Sequence, residues 1–304
     1  MRLPLVLSLL LCSLGAAAGA GWCYDSQFSC GDACAVPDNW TAVAAACGGS
    51  AQSPINIVTS RARSDGRLGP LTFTGYQLAF HGYAINNGHT VQINLPDTAK
   101  ISGGHLNATY KAVQLHLHWG RDGGLGSEHT VDGERYPMEL HVVHIKDKFG
   151  SLADALLDPA GVAVLGFFYE ESANWNGKYD SIIKALRNIT GAGTNTTLMD
   201  LSLDMLVLPR SERDRYFRYH GSLTTPGCDE SVVWTIFQRT ILLSKQQLSA
   251  FSGLRFPNGR PMTRTYRPVQ PLNRRDVFRS GSAAVWASGL LLGCSVLTAL
   301  SLAR

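Results

Sequence analysis

The chain has 304 residues, which is enough for one large domain with a substantial core or for two small domains. Apolar residues make up 45% of the sequence and charged residues 16%, so the composition indicates a globular protein and excludes an intrinsically disordered one. The formal charge is only +4 and no run rich in Lys or Arg occurs, which argues against nucleic-acid binding.

The N-terminus has the three-part pattern of a secretory signal peptide. Arg2 is followed by the apolar residues 3–11 and then by the small residues 15–21. The apolar stretch is too short to span a bilayer comfortably. We therefore predict that residues 1–20 are removed near Ala20 and that the mature chain begins at residue 21.

The cysteines and sequons fit an exported protein. Cys12 falls in the signal peptide and Cys294 in the C-terminal tail, which leaves Cys23, Cys30, Cys34, Cys47 and Cys228. Exported cysteines should pair, and this odd number leaves one thiol over. A zinc ribbon is excluded because no second Cys-x-x-Cys pair completes it. Glycan acceptor candidates occur at Asn39, Asn107, Asn188 and Asn195.

The central part of the chain, up to about residue 275, contains no linker or repeat. Gly- and Asn-rich turns separate short runs in which apolar and polar residues alternate. These runs predict strands at residues 91–95, 113–119, 139–144, 162–168 and 232–237. Helical periodicity is confined to short pieces such as 179–188 and 245–251. The pattern predicts a single mainly β domain of the α+β class, with short peripheral helices.

Three histidines could form a metal site. His116 and His118 are two residues apart on a predicted strand, so both side chains point to the same face. His141 follows about twenty residues later, after a Gly-rich turn region that suits a neighbouring antiparallel strand. Three imidazoles with one open position are a known catalytic zinc arrangement. The alternative is that the His-x-His pair consists of ordinary polar residues on a half-exposed strand.

The residues around the histidines favour the metal site. Gln114 lies two residues before His116, and Glu139 lies two residues before His141. Each therefore shares a face with its histidine and can orient the ring through the nitrogen that does not face the metal.

Seven motifs between Trp22 and Leu272 resemble the α-carbonic anhydrases. The motifs occupy residues 52–57, 86–89, 114–120, 126–129, 138–144, 221–226 and 267–272. Together with the signal peptide, the N-terminal cysteines and the apolar tail, they are most similar to the membrane-anchored type IV and type XV branch. The resemblance implies a large, twisted, mostly antiparallel sheet. It also implies reversible hydration of carbon dioxide to bicarbonate with Zn²⁺ as cofactor.

The resemblance assigns roles to individual residues. His116, His118 and His141 match the zinc ligands, and His89 matches the proton shuttle. Thr224 matches the gatekeeper that admits only groups able to donate a hydrogen bond, and Glu128 matches the carboxylate that orients it. Further polar positions in the cleft are Gln114, Asn87, Gln92 and Tyr24, with Glu139 behind the metal. The implied substrate-binding positions are Val143, Val164, Leu223, Thr224, Thr225, Val232 and Trp234.

One departure from the family pattern concerns the cysteines. Many relatives have a second proline after Thr-Thr-Pro, but Gly227 and then Cys228 follow here. Type IV enzymes bridge a cysteine at this place to one near the N-terminus. The resemblance therefore implies disulfides Cys47–Cys228 and Cys23–Cys34. Cys30 has no counterpart, which leaves the exchange pairing Cys23–Cys30 open.

The C-terminal residues 283–303 form a second apolar block. Small residues precede it, as in the signal for a GPI anchor, and Ser280 is the predicted attachment residue. A membrane-spanning helix is the rival, because the block has about the ~20 residues that a span needs. Almost nothing follows the block, and polar or small residues interrupt it, which favours GPI. The polar spacer expected before the tail is nearly absent, which argues against GPI.

These features predict a carbonic anhydrase domain at residues 21–279 and a removed GPI signal at 280–304. The domain is expected at the extracellular face of the cell membrane, with bicarbonate transporters as candidate partners. One rival function is a catalytically weak relative that acts as a binding or adhesion domain. Another is a zinc esterase, although the His-Glu-x-x-His pattern of zinc proteases is absent.

Overall fold

The computed structural model describes residues 21–28 and 33–281. The predicted signal peptide, Cys30 and the apolar tail lie outside these residues. Within the described ranges, no helix has the length and apolar character needed to cross a membrane.

The described residues are mostly strands, joined by short helices and turns. The strands are β1 (Asn56–Ile57), β2 (Arg63–Asp65), β3 (Leu71–Thr74), β4 (Phe80–Asn86), β5 (Val91–Asn94), β6 (Lys100–Gly103), β7 (Tyr110–Trp119), β8 (Thr130–Val131), β9 (Glu134–Arg135), β10 (Met138–Lys146), β11 (Val162–Ser172), β12 (Asn195–Leu201), β13 (Tyr216–Gly221), β14 (Val232–Phe237), β15 (Ile241–Ser244) and β16 (Phe278–Ser280). The α-helices are α1 (Leu152–Leu156), α2 (Asp180–Leu186), α3 (Leu203–Leu206) and α4 (Lys245–Ala250). Short 3-10 helices occur at Pro37–Ala42, Ala45–Gly48, Thr59–Arg61, Gly177–Tyr179, Arg210–Glu212 and Phe251–Gly253.

Most strands join one large sheet, in the order β12-β4-β5-β7-β10-β11-β14-β13-β16-β2. Strand β15 pairs with β11, and β3 joins through β6, which pairs with β7. The pairs are mostly antiparallel, as predicted, but β11–β14, β11–β15 and β16–β2 are parallel, so the sheet is mixed. The short strands β1, β8 and β9 form a separate small sheet. The predicted mainly β domain is confirmed.

The central strands have apolar side chains on both faces because residues pack against the sheet on each side. Alternate residues of a strand point to opposite faces. On β7 and β10, Leu117 and Leu140 belong to the larger buried cluster. On the other face, Val143 and Val164 belong to the smaller cluster. Because side chains alternate between the two faces along β7 and β10, the three histidines lie on the same face as the smaller cluster.

The predicted helix at 245–251 carries a local start signal. Helix α4 begins with a capping box, in which the Ser244 hydroxyl accepts from the Gln247 backbone at 3.3 Å and the Gln247 side chain accepts from the Ser244 backbone at 3.1 Å. These reciprocal bonds satisfy two backbone donors that the first turn would otherwise leave without a partner.

Both predicted disulfides are present. Cys23 is bonded to Cys34, and Cys47 is bonded to Cys228 across a sequence separation of 181 residues. The pairing excludes the open alternative, Cys23–Cys30. The second bridge joins the N-terminal segment to the loop that contains Thr224.

Candidate metal centre and its cleft

Strands β7 and β10 bring the histidine cluster (His116, His118 and His141) together. His116 is directly opposite His141 in the antiparallel register. His118 Nε2 lies 3.1 Å from His141 Nδ1, which lies 3.3 Å from His116 Nε2. The three nitrogens therefore converge on one point.

The opposite nitrogen of each ring has an acceptor. His116 Nδ1 donates to Gln114 Oε1 at 2.9 Å, and His118 Nδ1 donates to the Thr265 carbonyl at 2.6 Å. His141 Nε2 donates to Glu139 Oε1 at 2.7 Å. Carbonyl, amide and carboxylate oxygens can only accept here, so these ring nitrogens carry the protons. In a neutral imidazole the other nitrogen then has a bare lone pair.

Burial keeps the cluster neutral. It lowers the pKa of His118 to about 4 and holds the pKa values of His116 and His141 below their ordinary value. Burial alone would raise the pKa of Glu139, but the opposite effect of nearby His129 and His141 is larger. The pKa of Glu139 therefore lies well below its usual range. The centre at pH 7 is thus three neutral imidazoles backed by one carboxylate.

The donor set fits a zinc ion. Three lone pairs directed at one point repel each other unless a cation lies between them. Tetrahedral zinc with Zn–N distances of about 2.0–2.1 Å places its ligand nitrogens ~3.3 Å apart, close to the spacing found. A second group, His129, Glu139 and His141, is also near enough to hold a metal. Its facing atoms are already joined by hydrogen bonds at 2.7 Å, so it does not offer free lone pairs.

Glu128 lies beside the cluster and is buried. Its Oε1 accepts the Arg267 backbone N–H at 2.8 Å, and its Oε2 lies 3.4 Å from His118 Nε2. Within the described residues, Oε2 is buried without a hydrogen-bond partner. Burial raises the pKa of Glu128 to about 7, against the opposing effects of His141, the Arg267 N–H and the Thr224 hydroxyl. The structure thus brings Glu128 and buried Thr224 close to the histidine cluster.

An apolar wall adjoins the cluster on the same face. Val143 is opposite Val164, and Val164 is opposite Trp234, across neighbouring strands. The Trp234 ring packs edge-on against His141, with the ring centroids 4.8 Å apart. Val232 belongs to the same buried cluster, and partly buried Leu223 packs against it. Thr225 is half-buried in the loop that follows Leu223.

His89 lies in a tight turn and stacks on an aromatic ring. Asn87 Oδ1 accepts the backbone N–H groups of His89 and Thr90, each at 3.0 Å. The His89 ring stacks on Trp22 with centroids 3.8 Å apart, and buried Tyr24 packs against its edge. Burial lowers the pKa of His89 to about 4. A proton shuttle works best with a pKa near that of a free imidazole, ~6.5, so this role would require the ring to leave its stack on Trp22.

The remaining predicted cleft residues form a row of amides. Asn87 Nδ2 donates to Gln92 Oε1 at 3.3 Å, and Gln92 Nε2 donates to Asn94 Oδ1 at 2.9 Å. Gln92 is opposite His116 on the neighbouring strand, so the row leads toward the cluster.

The sequence interpretation missed several residues that support the site. Thr265 contributes its backbone carbonyl, for which a sequence has no signal, since every residue has one. His129 and Tyr219 belong to the hydrogen-bond system behind Glu139. His129 was part of a recognised motif, but its position relative to Tyr219 depends on a contact 90 residues apart in the chain.

A family model described as eukaryotic-type carbonic anhydrase matches residues 35–281. Similar proteins include carbonic anhydrase 4 of Oryctolagus cuniculus, which is 43% identical over 86% of this chain and 85% of the relative. Carbonic anhydrase 4 of Rattus norvegicus is 38% identical over 99% of this chain and 96% of the relative. Carbonic anhydrase 15 of Mus musculus is 37% identical over 96% of this chain and 94% of the relative. These matches confirm the resemblance found in the motifs, and the chain belongs to the eukaryotic-type carbonic anhydrase family.

Proposed function

We propose that this carbonic anhydrase catalyses the zinc-dependent, reversible hydration of carbon dioxide to bicarbonate and a proton at the outer face of the cell membrane. The observation that carries the proposal is the convergence of three neutral imidazole nitrogens beside an apolar wall. His141 Nδ1 lies 3.1 Å from His118 Nε2 and 3.3 Å from His116 Nε2. A bound zinc ion supplies a water whose pKa falls from 15.7 to about 7.

The residues of the chain divide the remaining work. His116, His118 and His141 hold the metal, and the acceptors behind them keep the lone pairs pointed inward. Val143 and Trp234, with the rest of the apolar wall, give carbon dioxide a place from which water is excluded.

Thr224 and Glu128 act as the gate in this proposal. When Thr224 donates its hydroxyl proton to the Glu128 carboxylate, its oxygen can only accept from a group in the site. The pair therefore favours ligands that carry a proton to donate. His89 takes the released proton and passes it to solvent, a role that requires its ring to leave the buried position in which its pKa is about 4.

The deciding experiment is stopped-flow carbon dioxide hydration by the purified protein, before and after zinc removal with a chelator. We expect activity to disappear with the metal and to return when zinc is added back. A protein that is loaded with zinc but inactive would contradict the proposal and favour the adhesion-domain alternative. A zinc-dependent ester hydrolysis without carbon dioxide hydration would favour the esterase.

The His89→Ala variant should slow carbon dioxide hydration by about 10-fold or more in weak buffer, because one route for the proton is lost. Its zinc content should not change, and a concentrated imidazole buffer should restore the rate. The control is His81→Ala, which removes an exposed histidine on β4. Full speed of His89→Ala in weak buffer would rule out the shuttle role.

Several features support export and membrane attachment. The two disulfides are typical of an oxidising compartment, and the four sequon asparagines are all exposed. We include in the proposal a signal peptide at 1–20, a domain at 21–279 and a GPI signal at 280–304, with bicarbonate transporters as partners. Ser280, the proposed attachment residue, is the last residue of β16. Release of the protein from cells by a phosphatidylinositol-specific phospholipase would distinguish the anchor from a spanning helix.

A further inference from the structure

A buried line of hydrogen bonds leaves the histidine cluster behind Glu139 and ends at the backbone of Ser222. His129 Nδ1 lies 2.7 Å from Glu139 Oε1, and His129 Nε2 lies 2.6 Å from the Tyr219 hydroxyl. The Tyr219 hydroxyl lies 2.8 Å from Ser53 Oγ, which accepts the Ser222 N–H at 3.0 Å. Every side chain in this line is at most 1% exposed.

The chemistry of the end groups gives the line one direction. The Glu139 carboxylate can only accept, so His129 donates through Nδ1, and in the tautomer with its single proton on Nδ1 the Nε2 atom accepts. The proton on that bond belongs to Tyr219, so the Tyr219 oxygen accepts from Ser53. The Ser53 oxygen in turn accepts the Ser222 N–H, and each donor in the line has a single acceptor.

Both ends of the line reach parts of the site. At one end, Glu139 Oε1 also accepts from the metal-facing histidine His141, and its Oε2 accepts the backbone N–H groups of Glu128 and His129, each at 2.8 Å. At the other end, Ser222 opens the loop that contains Thr224. The Ser222 carbonyl accepts from Trp234 Nε1 at 3.0 Å, so the same residue also holds the apolar wall.

We propose that His129 and Tyr219 are positioning residues that hold the Thr224 loop in register with His141, so that metal binding and order in the loop stabilise each other. The inference rests on the proposed zinc site. Metal binding fixes the ring of His141 and therefore Glu139, and the line transmits that restraint to Ser222. By linkage, the factor by which metal binding favours the ordered loop is also the factor by which the ordered loop favours metal binding. A loop that has lost its restraint must therefore retain the metal less well.

The Tyr219→Phe variant tests this inference, because it removes one hydroxyl and keeps the ring. A matched control is Tyr169→Phe, since the Tyr169 hydroxyl is also buried and is hydrogen-bonded to another side chain, Tyr179, at 2.9 Å. A purely structural role for the hydroxyl would affect both variants alike. If Tyr219→Phe does not fold, Ser53→Ala breaks the same line at its next bond.

Two measurements are made on each variant. The first is the rate at which zinc passes to an excess of chelator. The second is hydrogen exchange of the Ser222 amide, with and without zinc, followed by mass spectrometry of overlapping peptides. We expect Tyr219→Phe to release zinc roughly 3- to 10-fold faster, somewhat less than the loss found for partners that touch the ligand directly. Its Ser222 amide should exchange faster, and zinc should no longer protect it.

Tyr169→Phe should match the parent protein in both measurements. If Tyr219→Phe and Tyr169→Phe cannot be distinguished in either measurement, the positioning role is wrong. In metal-free protein, a Ser222 amide that exchanges as slowly in Tyr219→Phe as in the parent would also contradict the role of the line in ordering the loop. A parent chain that takes up no zinc would instead overturn the proposed function, so the two failures are distinguishable.

Discussion

The His118→Ala variant is expected to lose its zinc and to hydrate carbon dioxide at least ~10³-fold more slowly. Only two imidazoles would remain, one fewer than a catalytic zinc site uses. The metal lowers the pKa of its water by about 9 units, which corresponds to about 12 kcal/mol. A 10³-fold change in rate requires only about 4 kcal/mol, so loss of the metal easily accounts for it. Zinc content by elemental analysis and stopped-flow rates test the expectation.

The matched control for this variant is His144→Ala on the neighbouring strand β10. His144 is fully buried, but it is hydrogen-bonded to the Tyr76 hydroxyl at 2.7 Å and is not part of the histidine cluster. We expect the His144→Ala variant to have a lower melting temperature but to keep one zinc per chain. An His118→Ala protein that retained one zinc per chain would show that this residue is not a ligand.

The Cys47→Ser/Cys228→Ser double variant should lose about 5 kcal/mol of its free energy of unfolding in the chain-entropy model. The reason is the length of the loop that the bridge closes, since the two cysteines are 181 residues apart. Without the bridge, the unfolded chain gains the entropy that this closure removes. Guanidinium unfolding of both proteins, under conditions in which the parent keeps its disulfides, measures the difference.

The second disulfide is an internal control for that argument. Cys23 and Cys34 are only 11 residues apart, so the same model assigns their bridge about 3 kcal/mol. The Cys23→Ser/Cys34→Ser variant should therefore be the more stable of the two. Equal losses, or the reverse order, would show that contacts in the folded state and not chain entropy determine the effect.

Local pattern was sufficient for the strands that carry the metal centre and for several other elements, since the predicted strands at 113–119 and 139–144 lie within β7 and β10. The predicted strand at 232–237 has the same bounds as β14, and the predicted helices at 179–188 and 245–251 contain α2 and α4. The two-residue spacing on a strand also placed Gln114 and Glu139 behind their histidines, because the strand period is two for every residue type.

Contacts between distant segments could not be predicted in this way. The parallel pairing of β11 with β14 depends on a crossover of the chain, and a parallel strand has the same alternation as an antiparallel one. The carbonyl of Thr265 and the hydroxyl of Tyr219 reach the site from segments far away in the sequence. The disulfides were predicted from the family resemblance, since five cysteines allow several pairings.

His89, the proposed proton shuttle, shows where a local interpretation is incomplete. The Asn-Asn-Gly-His motif places His89 correctly in a turn, but its environment depends on Trp22, which is 67 positions earlier. Burial lowers its pKa to about 4, well below the ~6.5 of an unperturbed histidine. The titration of a side chain follows its solvent access, which is a property of the whole fold.

The long disulfide also changes what a protease can do to this protein. Cys47 and Cys228 convert most of the domain into a covalent ring. A single cut at an exposed loop inside the ring opens it but releases no fragment. The nicked protein would keep the mass of the intact chain on a non-reducing gel, plus one water, and would separate into two pieces only after reduction. Surface damage of this kind would leave the strands that carry the histidine cluster tethered to the Thr224 loop.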